Sequence, residues 1–249
     1  KTESSGSAEI RPKSIEMLVT KNPNINLALI SVPGEYAFAE AKKALNLGLH
    51  VMLFSDNVAI EDELALKTIG RDKDLLVMGP DCGTSIINGQ PLGFANEVEK
   101  GPVGIVAASG TGLQQVSCLL SHWGVGISQA IGTGGRDLSS DVGGITMLQS
   151  LAMLQADENT EIIVLISKPP NEKIVKKIIE AAREGSKPVV ICFLGVTKVI
   201  DDNIVLFAGS LDQAASMAYV KVKNGKEPTR LYSDKDIKRS FTDIILQDS

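Results

Sequence analysis

The feature that most limits the fold is an alternation along the chain, in which short aliphatic runs are each followed by a segment with helical spacing. Leu27–Val32 (LALISV), His50–Ser55 (HVMLFS) and Leu75–Gly79 (LLVMG) suit strands buried on both faces. Between them, residues 36–47 place Ala37, Ala41, Ala44 and Leu45 on one helical face, with Gly48 as a cap, and residues 59–69 carry Leu64, Leu66 and Ile69. Strand-helix-strand-helix-strand implies parallel strands joined by right-handed crossovers.

After the polar stretch 96–102 (NEVEKGP) a second series begins. Strands are expected at 103–107, 126–131, 161–167, 188–193 and 204–207, with helices near 110–122, 143–156, 171–184 and 211–220. In the third helix Ile174, Val175, Ile178, Ile179 and Ala182 form the inner face, with Lys173, Lys176, Lys177 and Glu180 outside. The expected fold class is α/β, with two doubly wound parallel-sheet domains: a partial Rossmann-like domain over 25–98, then a flavodoxin-like domain over 99–222. Residues 1–24 read as a linker or arm, and 223–249 as a polar tail or extra helix around Ile237–Leu246.

Composition excludes several classes of function. Aromatics are only 4% of the 249 residues, so Ala, Val, Ile and Leu must build the core. A net charge of −5 leaves no basic surplus for a phosphate backbone, which argues against nucleic acid as a partner. No apolar run reaches the ~18 residues of a membrane span, and no secretory leader pattern is visible. The chain opens at Lys1 rather than Met, as expected of a fragment or processed form. Cys82, Cys118 and Cys192 are far apart and form no CxxC, so reduced cytoplasmic thiols are expected, with no metal site. The only histidines, His50 and His122, sit at a strand start and a helix end and read as structural.

Ligands of such sheets bind beyond the carboxyl ends of the strands. Three loops fall there. Ala108-Ser109-Gly110-Thr111-Gly112 joins a strand to a helix and offers two hydroxyls and free amides to an anion, although Ser or Thr also serves there as an ordinary N-cap. Gly132-Thr133-Gly134-Gly135-Arg136-Asp137 adds Gly134, Gly135 and a guanidinium suited to phosphate or carboxylate; the alternative is an Arg136–Asp137 surface turn. Met78 to Ser85 (MGPDCGTS) places Asp81 and Cys82 at the cleft between domains, or else packs them in a rigid turn; Cys82 is not expected to be a nucleophile. Lys168, before Pro169-Pro170, is either a ligand clamp or an exposed turn residue.

These residues carry a resemblance. GPDCGTSI (79–86), VGIVAASGTG (103–112), AIGTGGRDL (130–138) and EIIVLIS (161–167) resemble the α subunit of succinyl-CoA synthetase, whose motifs read like GPNCPG, VGIVSRSGT and GIGGDP. The resemblance runs over about residues 25–220. LALISVPGEYA, VMLFSDNV, LVMGPDCGTS and IGTGGRDLS are closer still to the FdrA protein family, a divergent branch of these acyl-CoA synthetase-like proteins. The resemblance implies a CoA-binding-type first domain, a ligase-type second domain and an enzyme of several subunits.

Two departures qualify it. Where the synthetases carry a phosphorylated histidine, this chain has Phe207, within Leu206-Phe207-Ala208-Gly209-Ser210, and Lys168 stands where a glutamate orients that histidine. Phosphohistidine chemistry is therefore not expected. The Gly-rich CoA loop of the synthetases also has no counterpart before Leu27, so CoA is not counted as a cofactor. The implied ligand is phosphate or an acyl phosphate, with Arg136 and Lys168 as catalytic cations. Ser109, Gly110, Thr111, Gly112, Gly134, Gly135, Asp81 and Cys82 would bind substrate. FdrA-type proteins are associated with carbamoyl transfer between oxalurate or oxamate and phosphate in ureide catabolism, which makes that transfer the specific expectation. The alternatives are a non-catalytic module that binds a metabolite or CoA, and an ADP-forming synthetase α-like subunit. The expected partners are a small anionic metabolite and further protein subunits or copies of this chain, with no membrane.

Overall fold

The computed structural model describes residues 14–196 and 202–228. The first 13 residues of the expected arm and the helix candidate at 237–246 lie outside them. In chain order the elements are α1 (Ile15–Lys21), β1 (Leu27–Ile30), α2 (Gly34–Asn46), β2 (His50–Leu53), α3 (Ile60–Asp72), β3 (Val77–Met78), β4 (Thr84–Ile87) and β5 (Gln90–Gly93). There follow β6 (Lys100–Ala107), α4 (Gly110–His122), β7 (Ile127–Gly132), α5 (Ile145–Ala156), β8 (Ile162–Ser167), α6 (Glu172–Glu184), β9 (Val189–Phe193), β10 (Val205–Phe207) and α7 (Leu211–Val222).

The fold is α/β with parallel sheets. A three-stranded sheet has the order β1-β2-β3, all parallel. The larger sheet runs β10-β9-β8-β6-β7-β4-β5, and its five parallel strands follow the flavodoxin-like order 2-1-3-4-5 when counted from β6. The order reverses between β7 and β8, on either side of β6, so a crevice opens at the carboxyl end of β6. Aliphatic strands explain this layering: all five residues of β9 and all six of β8 are buried, as strands covered by helices on both faces must be. In α6 the buried set is Ile174, Val175, Ile178, Ile179 and Ala182, the face expected from its spacing.

The small sheet buries one face on α2 and α3, around Ala41, Leu45, Leu53 and Leu66. Met52, Leu76 and Met78 instead join the core that contains Met147, Leu151 and Leu154 of α5. A three-stranded sheet has too few elements to cover both its faces, and the second unit supplies the missing layer.

The β4–β5 hairpin is absent from the sequence reading. Although it lies within 25–98, its strand β4 pairs antiparallel with β7 at Ile86–Ala130 and so extends the second sheet. Its strand β5 carries Pro91 and Gly93, residues that argue against a strand when read locally. As the outermost strand β5 has no neighbour on one side, which is where a strand tolerates proline. Among the described residues no helix is long and apolar enough to cross a membrane.

Candidate functional site

The carboxyl ends of both sheets face one cleft of about 620 Å³. Ser31 and Val32 follow β1, and Phe54, Ser55 and Asp56 follow β2. Asp81, Cys82 and Gly83 come from the loop after β3, Ser109, Gly110 and Thr111 from the loop after β6, Gly134 and Gly135 from the loop after β7, and Lys168 from the end of β8. Eight of the ten residues picked out as candidates thus come together.

Ser109 is the N-cap of α4. Its Oγ accepts from the Gly112 amide at 3.2 Å, leaving its own O–H free to donate into the cleft. The first amides of a helix have no intrahelical acceptor, and here those of Gly110 and Thr111 border the cleft. The positive end of the α4 dipole lies at the same place, an arrangement suited to an anion. Among the described residues, exposed Lys168 is the only basic side chain on the lining.

Gly112 and Arg136 do not belong to the lining. The Gly112 amide is already capped, and the residue is buried against Ile166, where a Cβ would stand 3.0 Å from the side chain. Its glycine identity serves helix-to-sheet packing, not a ligand. Arg136 turns away toward α3, donating from Nε to Glu63 Oε2 at 2.9 Å and from a terminal nitrogen to the Val58 carbonyl at 2.8 Å. Its charge is used by the buried Glu63, which also lies 2.9 Å from Lys67 Nζ. Lys67 in turn donates to Asp137 Oδ1 at 2.7 Å and to the Thr133 carbonyl at 2.8 Å. Asp137 also accepts from the amides of Thr146 and Met147. This cluster was missed in the sequence because its members lie up to 74 residues apart along the chain, Glu63 to Asp137; the only local trace is the i, i+4 spacing of Glu63 and Lys67.

The loop after β7 is seated directly on the loop after β3. Gly134 has φ +84°, and a Cβ there would lie 2.3 Å from the Pro80 carbonyl oxygen. The peptide between Gly79 and Pro80 is cis. Cys82 lines the cleft, but burial pushes its thiol up, and its Sγ lies 3.4 Å from the Gly132 carbonyl oxygen. It is a packed thiol rather than a thiolate nucleophile. Phe207 ends β10 and packs against the core shared by α5 and α6. His50 opens β2, where its Nδ1 accepts from the Leu76 amide at 2.9 Å, a structural role.

The sequence reading did not anticipate Phe54 and Phe94. Their rings meet edge-on at the cleft, with centroids 5.3 Å apart.

Both sheets end at one cleft, the place where open α/β sheets bind ligands. The CoA binding domain family model matches residues 98–195, from just before β6 to just past β9. The chain is 53% identical over 216 residues to the Escherichia coli K12 protein YahF, itself uncharacterized, covering 86% of this chain and 42% of that one. It is 28% identical over 178 residues to succinate–CoA ligase [ADP-forming] subunit alpha 1 of Archaeoglobus fulgidus, covering 70% of this chain and 60% of that one. Among solved structures, ATP citrate lyase from Methanothrix soehngenii, in complex with citrate and coenzyme A, shares the fold at TM-score 0.70 and 16% identity, over 93% of this chain and 46% of that one. The dinucleotide-forming acetyl-coenzyme A synthetase 1 of Ca. Korarchaeum cryptofilum, in complex with phosphate and ADP, does so at TM-score 0.60 and 17% identity, over 77% and 47%.

These matches support the succinyl-CoA synthetase α-like superfamily for this chain. The chain spans between 42% and 61% of the length of the first curated relatives it matches.

Proposed function

We propose that the chain acts within a multi-subunit, cytoplasmic acyl-CoA synthetase-like enzyme and holds phosphate or an acyl phosphate directly in its cleft, with no phosphohistidine. One juxtaposition carries the reading: the α4 N-terminus, with Ser109, Gly110 and Thr111, shares a cleft with Lys168, while Phe207 stands where the resemblance puts the histidine. The amides, the Ser109 hydroxyl and Lys168 stabilise charge on phosphate oxygens. Positioning supplies most of the rate, because no covalent carrier takes part.

The specific reaction we propose is the carbamoyl transfer of the FdrA-type proteins. A phosphate oxygen attacks the carbamoyl carbon of oxalurate, the C–N bond to oxamate breaks, and the phosphate proton passes to the departing nitrogen. Carbamoyl phosphate and oxamate result.

A second reading, a CoA-binding regulatory module, rests on the CoA binding domain match over residues 98–195. A thermal-shift series with phosphate, carbamoyl phosphate, oxamate, CoA and ADP separates the two. Our reading expects phosphate and carbamoyl phosphate to raise Tm and CoA to leave it unchanged. A shift with CoA alone would favour the module. Acid-labile label from radioactive ATP, in the presence of partner subunits, would restore phosphohistidine chemistry and overturn both.

A further inference from the structure

Phe94 is the most exposed large apolar side chain among the described residues, at 69%, in a chain with few aromatics. An exposed ring on a mobile loop would mean little, but this one is pinned. Its amide donates to the Gly83 carbonyl at 2.7 Å, and its own carbonyl accepts from Gln114 Nε2 at 2.6 Å. The first bond ties it to the loop after β3, the second to α4. Its ring meets half-buried Phe54 edge-on, and both rings stand over Gly83: a Cβ there would lie 3.4 Å from the Phe94 ring and 3.7 Å from that of Phe54. The two rings thus form a fixed apolar wall inside a cleft whose other lining is largely polar main chain, hydroxyls and charge.

The charges on the lining are unequal. Lys168 shares the lining with the α4 N-terminus, whereas exposed Asp56 and Asp81 line the small-sheet side, where no basic residue lies among the described residues. A second anionic group on that side would lie beside two acidic residues, so the oxalurate carboxylate of the proposed transfer sits on the opposite side of the cleft, away from Asp56 and Asp81.

We infer that Phe54 and Phe94 are the specificity wall of this cleft and select a phosphorylated acyl group that is planar or apolar and carries no second carboxylate. The inference rests on the proposed anion seat and names the class of substrate that seat accepts. Dicarboxylic acyl groups, such as those in the names of the succinate– and malate–CoA ligases, are excluded by Asp56 and Asp81.

Stable phosphonates test it by calorimetric titration. Orthophosphate reports the seat alone. Phenylphosphonate is expected to bind about tenfold tighter than methylphosphonate, the upper range for one ring contact. Phe94→Ala should abolish that difference and leave orthophosphate affinity unchanged; at 69% exposure the substitution spares the fold. 3-Phosphonopropionate should bind more weakly than methylphosphonate, and Asp56→Asn with Asp81→Asn should recover it. If orthophosphate binds but the phosphonates do not differ, or Phe94→Ala does not alter their order, the specificity wall is wrong and the seat stands. If orthophosphate itself does not bind, the seat is wrong and the wall falls with it.

Discussion

Lys67 Nζ and Asp137 Oδ1, 70 residues apart in the chain, form a 2.7 Å ion pair in which both side chains are fully buried. The pair joins α3 of the small-sheet unit to the loop after β7, and the second bond of Lys67, to the Thr133 carbonyl, fixes the strand end that leads into Gly134. The cleft therefore keeps its shape through a lock beneath its floor.

Lys67→Met removes the cation and leaves Asp137 a buried charge held only by the Thr146 and Met147 amides, while Glu63 keeps Arg136. The expected loss is about 3–5 kcal/mol, the range for breaking a buried pair on one side. Urea unfolding measures it, and Lys67→Met with Asp137→Leu should lose less than the sum of the single changes.

Gly134→Ala places a Cβ 2.3 Å from the Pro80 carbonyl oxygen at a φ of +84°. Neither loop can yield without moving the other, so a loss of at least ~1 kcal/mol in urea unfolding is expected. Orthophosphate affinity should fall as well, because the same loop lines the cleft. Gly135→Ala is the control, since nothing lies within 4 Å of its Cβ position.

Arg136 and Lys168 should separate cleanly, since one is paired with Glu63 and the other lines the cleft. Arg136→Ala is expected to cost ~1 kcal/mol of stability, discounted because its side chain is 46% exposed, and to leave anion affinity unchanged. Lys168→Ala should do the reverse, with no change in Tm without ligand and a smaller shift with phosphate.

This contrast shows what was legible in the sequence. The cleft positions of Ser109, Gly110, Thr111 and Lys168 were legible because each follows an aliphatic strand directly, so its place at a carboxyl end is a matter of local pattern. Arg136 obeys the same rule, yet its partner Glu63 is 73 residues away, and no local pattern tells a guanidinium which carboxylate it will reach. Phe54 and Phe94 were missed for the same reason: their meeting depends on the β4–β5 hairpin crossing to the second sheet, which proline and glycine concealed.

His50 gives a pH signature. Burial holds its pKa below the ordinary 6.5, and its Nδ1 is an acceptor only while unprotonated. The unfolded chain binds this proton first as pH falls, so the contribution of His50 to stability is fully present above about 6.5 and declines as pH drops from there toward the lower folded value. An NMR titration of the His50 ring should show a midpoint below 6.5, with the Leu76 amide resonance moving in step.

The most direct test of the phosphate-holding cleft is calorimetric titration of orthophosphate into the wild-type chain and into Lys168→Ala. One saturable site, weakened about tenfold by loss of a charge-assisted contact, is the expected result. No binding, or equal affinity in the two proteins, would contradict the assignment of the α4 N-terminus and Lys168 as an anion seat.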